Sequence, residues 1–195
     1  MTRIAESERN TKETQIQAKL VLDGTGNYQI TTGIGFFDHM LTLFTVHGLF
    51  DLVVNAKGDI QVDYHHTVED VGLVMGGLLT EALADRKGIG RYGHAVIPMD
   101  DALAHVTVDL SNRPYCVMQM PDTPVRQDAF DASLTREFLR AFAQRAGLNL
   151  HARVIYGSNW HHMVEAIFKG LGRALRQAVT LDDRIVGVPS SKGVL

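Results

Sequence analysis

The sequence has very little cysteine: Cys116 is the only one in 195 residues. A single thiol excludes an internal disulfide and any thiolate-rich zinc or iron–sulfur centre, so a metal in this protein has to be held by nitrogen and oxygen. No apolar run approaches the roughly 18 residues of a membrane span. The first twenty residues, MTRIAESERNTKETQIQAKL, are polar and lack the apolar centre of a secretory signal, which predicts a cytoplasmic chain. Lys and Arg total 19 against 22 Asp and Glu, for a formal net charge of −3, and no basic cluster is interleaved with aromatics. Nucleic acid is therefore not expected as a partner, and neither is a membrane. No low-complexity linker breaks the chain. With 45% hydrophobic and 21% charged residues it reads as an ordinary soluble globular protein, able to bury a core in one domain or two small ones.

What the sequence does have is a repeated motif. His65-His66-Thr67-Val68-Glu69 returns 96 positions later as His161-His162-Met163-Val164-Glu165, and the match continues through Gly76 with Gly172, Leu79 with Leu175 and Ala82 with Ala178. This is the mark of an internal duplication, with halves at residues 1–90 and 91–195. Each copy opens a segment of helical apolar spacing, so its first His and its Glu, four residues apart, share a helix face and can share a metal ion. The second His points about 100° away and is free to serve another ion. Four histidines and two glutamates suggest two metal sites, drawing ligands from both halves or from neighbouring chains. Two polar helix starts with exposed histidines would not account for the repetition.

Residues 13–22 alternate polar and apolar, and the turn residues 23–27 precede a second strand near 27–32, which reads as a hairpin. A helix follows over 36–47 with His39 near its start, then a strand at 51–57 and the first motif helix, closed by Asp85-Arg86-Lys87-Gly88. The first half is thus ββαβα. The second has strands near 92–97, 102–110 and 115–120, a helix over 132–146, a strand over 148–156 and the second motif helix to about 180. The predicted class is α+β: two small sheets, each covered on one face by a helix pair, packed together through those helices. The tail GVPSSKGVL has the composition of a frayed end, although Ser190-Ser191-Lys192-Gly193 has the hydroxyls, cation and open amides that bind an anion.

The segments GIGFFDHML (33–41), DYHHTVED (63–70), RYGHAVIPMDDAL (91–103), DLSNRPY (109–115), GSNWHHMVEAIFKGLGRALRQA (157–178) and VPSSKGVL (188–195) together resemble the imidazoleglycerol-phosphate dehydratase family. The resemblance runs along nearly the whole chain. It implies a ribosomal protein S5 domain 2-like fold and a monofunctional hydro-lyase of histidine biosynthesis, converting imidazoleglycerol phosphate to imidazole-acetol phosphate and water. It also implies two Mn²⁺ per active site and a homo-oligomer of 24 subunits built from trimers. Family ligand positions fall on His39, His66, His161 and Glu165 for one ion, and on His65, Glu69, His162 and Glu137 for the other. Glu137 takes the place that His39 has in the first half, and some relatives have His there. Phosphate-binding positions fall on Arg91, Arg113, Lys169, Ser191 and Lys192, with Ser190 beside them. Glu13 matches the acid/base position, and Glu13, His39 and Glu165 form the expected catalytic set. His47, His65, His66, Glu69 and His161 join the substrate site, and Asp100-Asp101 and His47 are placed to hydrogen-bond ligand histidines.

The implied chemistry is loss of water from a carbon chain with no acidifying carbonyl. Metal on both ring nitrogens would make the imidazole imidazolate-like and able to expel hydroxide, leaving a diazafulvene-type intermediate whose neighbouring C–H a carboxylate can remove. Two rivals compete. A two-metal hydrolase of phosphate esters would favour aspartate ligands, and a metal-cemented scaffold would close its ions with protein ligands.

Overall fold

The computed structural model describes residues 3–121, 130, 132–193 and 195. The first half contains β1 (Ile4–Asn10), β2 (Thr14–Val21), β3 (Tyr28–Thr31), α1 (Gly35–Gly48), β4 (Asp51–Gly58) and α2 (His65–Leu83). The second repeats that order with β5 (Tyr92–Met99), β6 (Ala102–Asp109), β7 (Tyr115–Gln119), α3 (Ala132–Ala146), β8 (Asn149–Tyr156) and α4 (Trp160–Val179). Each half folds its four strands into one sheet, ordered β1-β2-β4-β3 and β5-β6-β8-β7. The α+β class and the duplication are as the sequence predicts.

The expected hairpin between residues 13–22 and 27–32 does not form. β2 pairs antiparallel with β1 and with β4, while β3 lies on the far side of β4 and runs parallel to it, Tyr28 opposite Leu52. The turn residues reverse the chain, but α1 then carries it across as a β-α-β crossover, the connection that parallel neighbours require. The half is therefore βββαβα rather than ββαβα. β1 escapes notice because only Ala5 of its seven residues is buried. An edge strand whose covered face carries Ala5, Ser7 and Arg9 has no apolar alternation to read.

The central strands do alternate. Ile16, Ala18 and Leu20 of β2 and Leu52, Val54 and Ala56 of β4 are buried, and so are Ala104, Val106 and Val108 of β6 with Leu150, Ala152 and Val154 of β8. Against these faces lie the helices: α2 over β1 and β2 with α1 beside β3, and α4 over β5 and β6 with α3 beside β7. The halves meet helix to helix, α1 on α4 and α2 on α3. An aromatic stack fills the junction, with Phe138 between Phe37 (5.4 Å) and Phe168 (5.2 Å). Each such fully buried ring contributes roughly 1.5–3 kcal/mol of transfer free energy.

The repeated glycines mark these crossings. A Cβ on Gly76 would stand 2.5 Å from the Phe142 carbonyl oxygen of α3, and one on Gly172 would collide with the Phe44 carbonyl oxygen of α1. Glycine lets the backbones approach closely enough for α1 to reach α4 and α3 to reach α2. Arg86 fastens the other end of the junction, its buried guanidinium donating to the carbonyls of Leu110 (3.0 Å) and Ala146 (2.8 Å). The tail is pinned rather than frayed: Arg91 Nη1 donates to the Pro189 carbonyl (2.8 Å) and Asn112 Nδ2 to the Leu195 carbonyl (3.3 Å). No helix among the described residues is long and apolar enough to cross a membrane.

Candidate metal centres

The two motifs begin their helices in the same way. Asp63 Oδ1 accepts the His65 amide (2.7 Å) and Asn159 Oδ1 accepts the His161 amide (3.0 Å), each caging the first turn from two residues upstream. Tyr64 and Trp160, the next residues, pack against the core and fix each helix start. The paired rings then diverge as the helical period requires. His65 and His66 stand 6.1 Å apart with planes at 85°, and His161 and His162 stand 6.0 Å apart at 80°. One ring of each pair turns toward the other half of the molecule.

There it meets a residue from the opposite helix. Across the α1–α4 crossing, His39 Nε2 lies 3.5 Å and His161 Nε2 3.2 Å from Glu165 Oε2. Across the α2–α3 crossing, His65, Glu69 and Glu137 converge, with His65 Nε2 3.7 Å from Glu69 Oε2. In each group one donor atom per residue lies within 4.8 Å of the others. The chemistry of the set fits a divalent cation of mixed nitrogen and oxygen preference: imidazole and carboxylate donors converge from three positions with no thiolate among them. Glu137 therefore stands where His39 stands in the other half, as the repeat suggests.

His66 and His162 belong to neither group. His66 Nδ1 faces both carboxylate oxygens of Asp59 (3.0 and 3.2 Å), and its Nε2 is 3.8 Å from Glu13 Oε1. His162 Nδ1 faces Asp101 Oδ1 at 2.6 Å, and Asp100 lies 3.7 Å from its Nε2. The expected contact between the Asp100-Asp101 pair and a motif histidine is thus present. Asp59 plays the matching part in the first half, and sequence comparison of the halves missed it because the position 96 residues on is Ile155. Arg140 was missed for the same reason; it sits 2.6 Å from Glu137 and 3.8 Å from Glu69.

Charge is concentrated here. Burial pushes the Glu165 carboxyl up, but the Lys169 ammonium at 2.6 Å and the nearby His39 outweigh it, leaving the group below the ordinary glutamate value. The His162 ring, with the Ser158 and Asn159 amides and the Ser158 hydroxyl, holds Asp101 well below the usual carboxylate range. The Asp59 carboxylate raises His66 against some burial, with Glu13 adding to it. His47, at the end of α1, is lowered by burial first and then by Lys169 and Arg173.

The expected anion-binding residues are more scattered. Lys169 is largely covered, reaching Glu165 and Met99 Sδ (3.4 Å). Arg91 is buried and engaged twice by Asp109, at 2.7 and 3.1 Å, besides Pro189. Through Pro189 it anchors the segment that carries Ser190, Ser191 and Lys192. Arg113, Ser191 and Lys192 are exposed.

The chain is similar to known proteins over nearly its whole length. The imidazoleglycerol-phosphate dehydratase family profile matches residues 32–175. The chain is 54% identical over 195 residues to an imidazoleglycerol-phosphate dehydratase of Desulfosudis oleivorans, covering all of both chains. It is 57% identical over 188 residues to one from Syntrophobacter fumaroxidans, covering 96% of this chain and 95% of that one. Among solved structures it is similar to the enzyme of that name from Staphylococcus aureus, with TM-score 0.82 and 41% identity over 92% of this chain and 99% of the other. The Pyrococcus furiosus structure gives TM-score 0.84 and 38% identity over 97% and 100%.

Proposed function

The chain belongs to the imidazoleglycerol-phosphate dehydratase family, hydro-lyases of histidine biosynthesis, and from that premise we propose how its two side-chain groups carry out the dehydration. The observation that carries the reading is the pair of triads built across the helix crossings, His39–His161–Glu165 and His65–Glu69–Glu137. These residues would hold two divalent ions, and Mn²⁺, which tolerates mixed oxygen and nitrogen ligation, is the ion assigned to them. Bound there, the ions would supply Lewis acidity that stabilises the deprotonated, imidazolate form of the substrate ring, the form electron-rich enough to expel hydroxide from the adjacent carbon.

The chain's own residues do the rest. Glu13, exposed and 3.8 Å from His66, takes the proton from the next carbon; hydroxide and proton leave as water, and the enol ketonises. Lys169 offers fixed positive charge one turn along α4 from Glu165, and Arg113, Ser190, Ser191 and Lys192 close on the phosphate while Arg91 holds their segment in place. His47, at the end of α1, borders this cationic corner, within the electrostatic reach of Lys169 and Arg173.

His66 and His162 lie outside the triads of their own chain, so they serve as the fourth donors in neighbouring copies. Such sharing makes the oligomer, trimers assembled to 24 subunits in the cytoplasm, a condition of activity. Incubation with imidazoleglycerol phosphate and Mn²⁺ should yield ketone without free phosphate. Release of inorganic phosphate would identify a two-metal phosphoesterase instead, and neither product would leave a metal-cemented scaffold.

A further inference from the structure

Asp59 lies outside the repeated motif, yet it touches two parts of the site. The β2–β4 ladder ends at Thr14 opposite Gly58, and the chain continues it by one step: the Asp59 amide donates to the Glu13 carbonyl at 3.0 Å. Residues directly opposed on antiparallel strands project to the same face. Both side chains accordingly reach one ring, Asp59 at His66 Nδ1 and Glu13 near its Nε2. A carboxylate only accepts, so Nδ1 carries a proton, and in the neutral ring Nε2 is the nitrogen left with a lone pair for a metal.

We propose that Asp59 is a positioning residue that fixes the tautomer and ring orientation of His66 as a metal donor and sets its distance from Glu13. The inference rests on the two-ion reading of the site above. Capping is not its task, since Asp63 accepts the first amide of α2. The Asp101–His162 contact at 2.6 Å does the same work for the second histidine, from an unrelated position in the sequence. Partners of this kind typically alter metal affinity ten- to hundred-fold.

The test is Mn²⁺ titration calorimetry on the metal-stripped, assembled protein, beside its thermal midpoint without metal. Asp59→Asn keeps the turn-forming shape and removes the charge. One of the parent's two ions should weaken by about ten-fold or more, with the other ion and the metal-free midpoint unchanged. Asp101→Asn should weaken the other ion instead. An Asp59→Asn isotherm that overlays a two-ion parent overturns the role of Asp59 alone. So does equal weakening of both ions with a fallen midpoint, which marks a purely structural residue. A parent that binds no Mn²⁺ overturns the two-ion reading itself, and this role with it.

Discussion

Replacing Gly172 with alanine puts a methyl group where α4 crosses α1, against the Phe44 carbonyl oxygen and 3.0 Å from the Gly48 amide nitrogen. Both obstacles are helix backbone and cannot swing aside, so α4 has to withdraw by about 1 Å to restore ordinary contact. Overpacking of this kind costs about 1–3 kcal/mol. For a chain of this size that corresponds to a fall of roughly 2–12 °C in the metal-free thermal midpoint. The damage should also reach the site. His39 rides on α1 and Glu165 on α4, 3.5 Å apart across the crossing, so the same withdrawal opens one triad and leaves the other alone. Gly76→Ala should do the reverse, through Phe142 and the His65–Glu69–Glu137 group. Melting curves without metal and Mn²⁺ titrations of both variants make the check. A Gly172→Ala protein that melts within about 1 °C of the parent and binds both ions as tightly would refute the link between crossing distance and site geometry.

Glu69→Gln and Glu165→Gln should each lose metal and turnover together, read by elemental analysis and a ketone assay; full Mn²⁺ occupancy in either would contradict the ligand assignment. Glu13→Gln should keep both ions and the substrate while turnover drops by about 10²–10⁴, and unchanged turnover would remove Glu13 from the chemistry. Glu165 has a folded-state pKa depressed below its ordinary 4.5, so its stabilising effect is present above that value and lost as pH falls through the lower folded value. In urea titrations of metal-free protein, the parent's advantage over Glu165→Gln should shrink below pH 4.5 and hold steady from there to pH 6. An advantage that grows on acidification would reverse the sign of the Lys169 and His39 influence.

Much of this was legible in the residues themselves because it is local. The HHxxE spacing predicts which histidine shares a face with its glutamate, and His65 at 3.7 Å from Glu69 and His161 at 3.2 Å from Glu165 agree with it. The repeat also aligns His39 with Glu137 and Gly76 with Gly172, each equivalent in three dimensions. What escaped is non-local. Pairing of β3 with β4 instead of β2 depends on where α1 lays the chain down, which no turn motif encodes. Equivalence of the halves says nothing of which helix crosses which, so the exchange of His39 and Glu137 between halves appears only in the fold. Asp59 and Arg140 have no sequence counterpart in the other half; their partners are chosen by the end of a strand ladder and a helix face.

The most direct measurement is metal content coupled to turnover: strip the assembled protein with chelator, add Mn²⁺ back, and follow bound ions by equilibrium dialysis while ketone formation from imidazoleglycerol phosphate is recorded. Two ions per chain should bind, with turnover absent in the stripped protein and restored as both sites fill. Full turnover in protein verified to be metal-free would contradict the role given to the two triads.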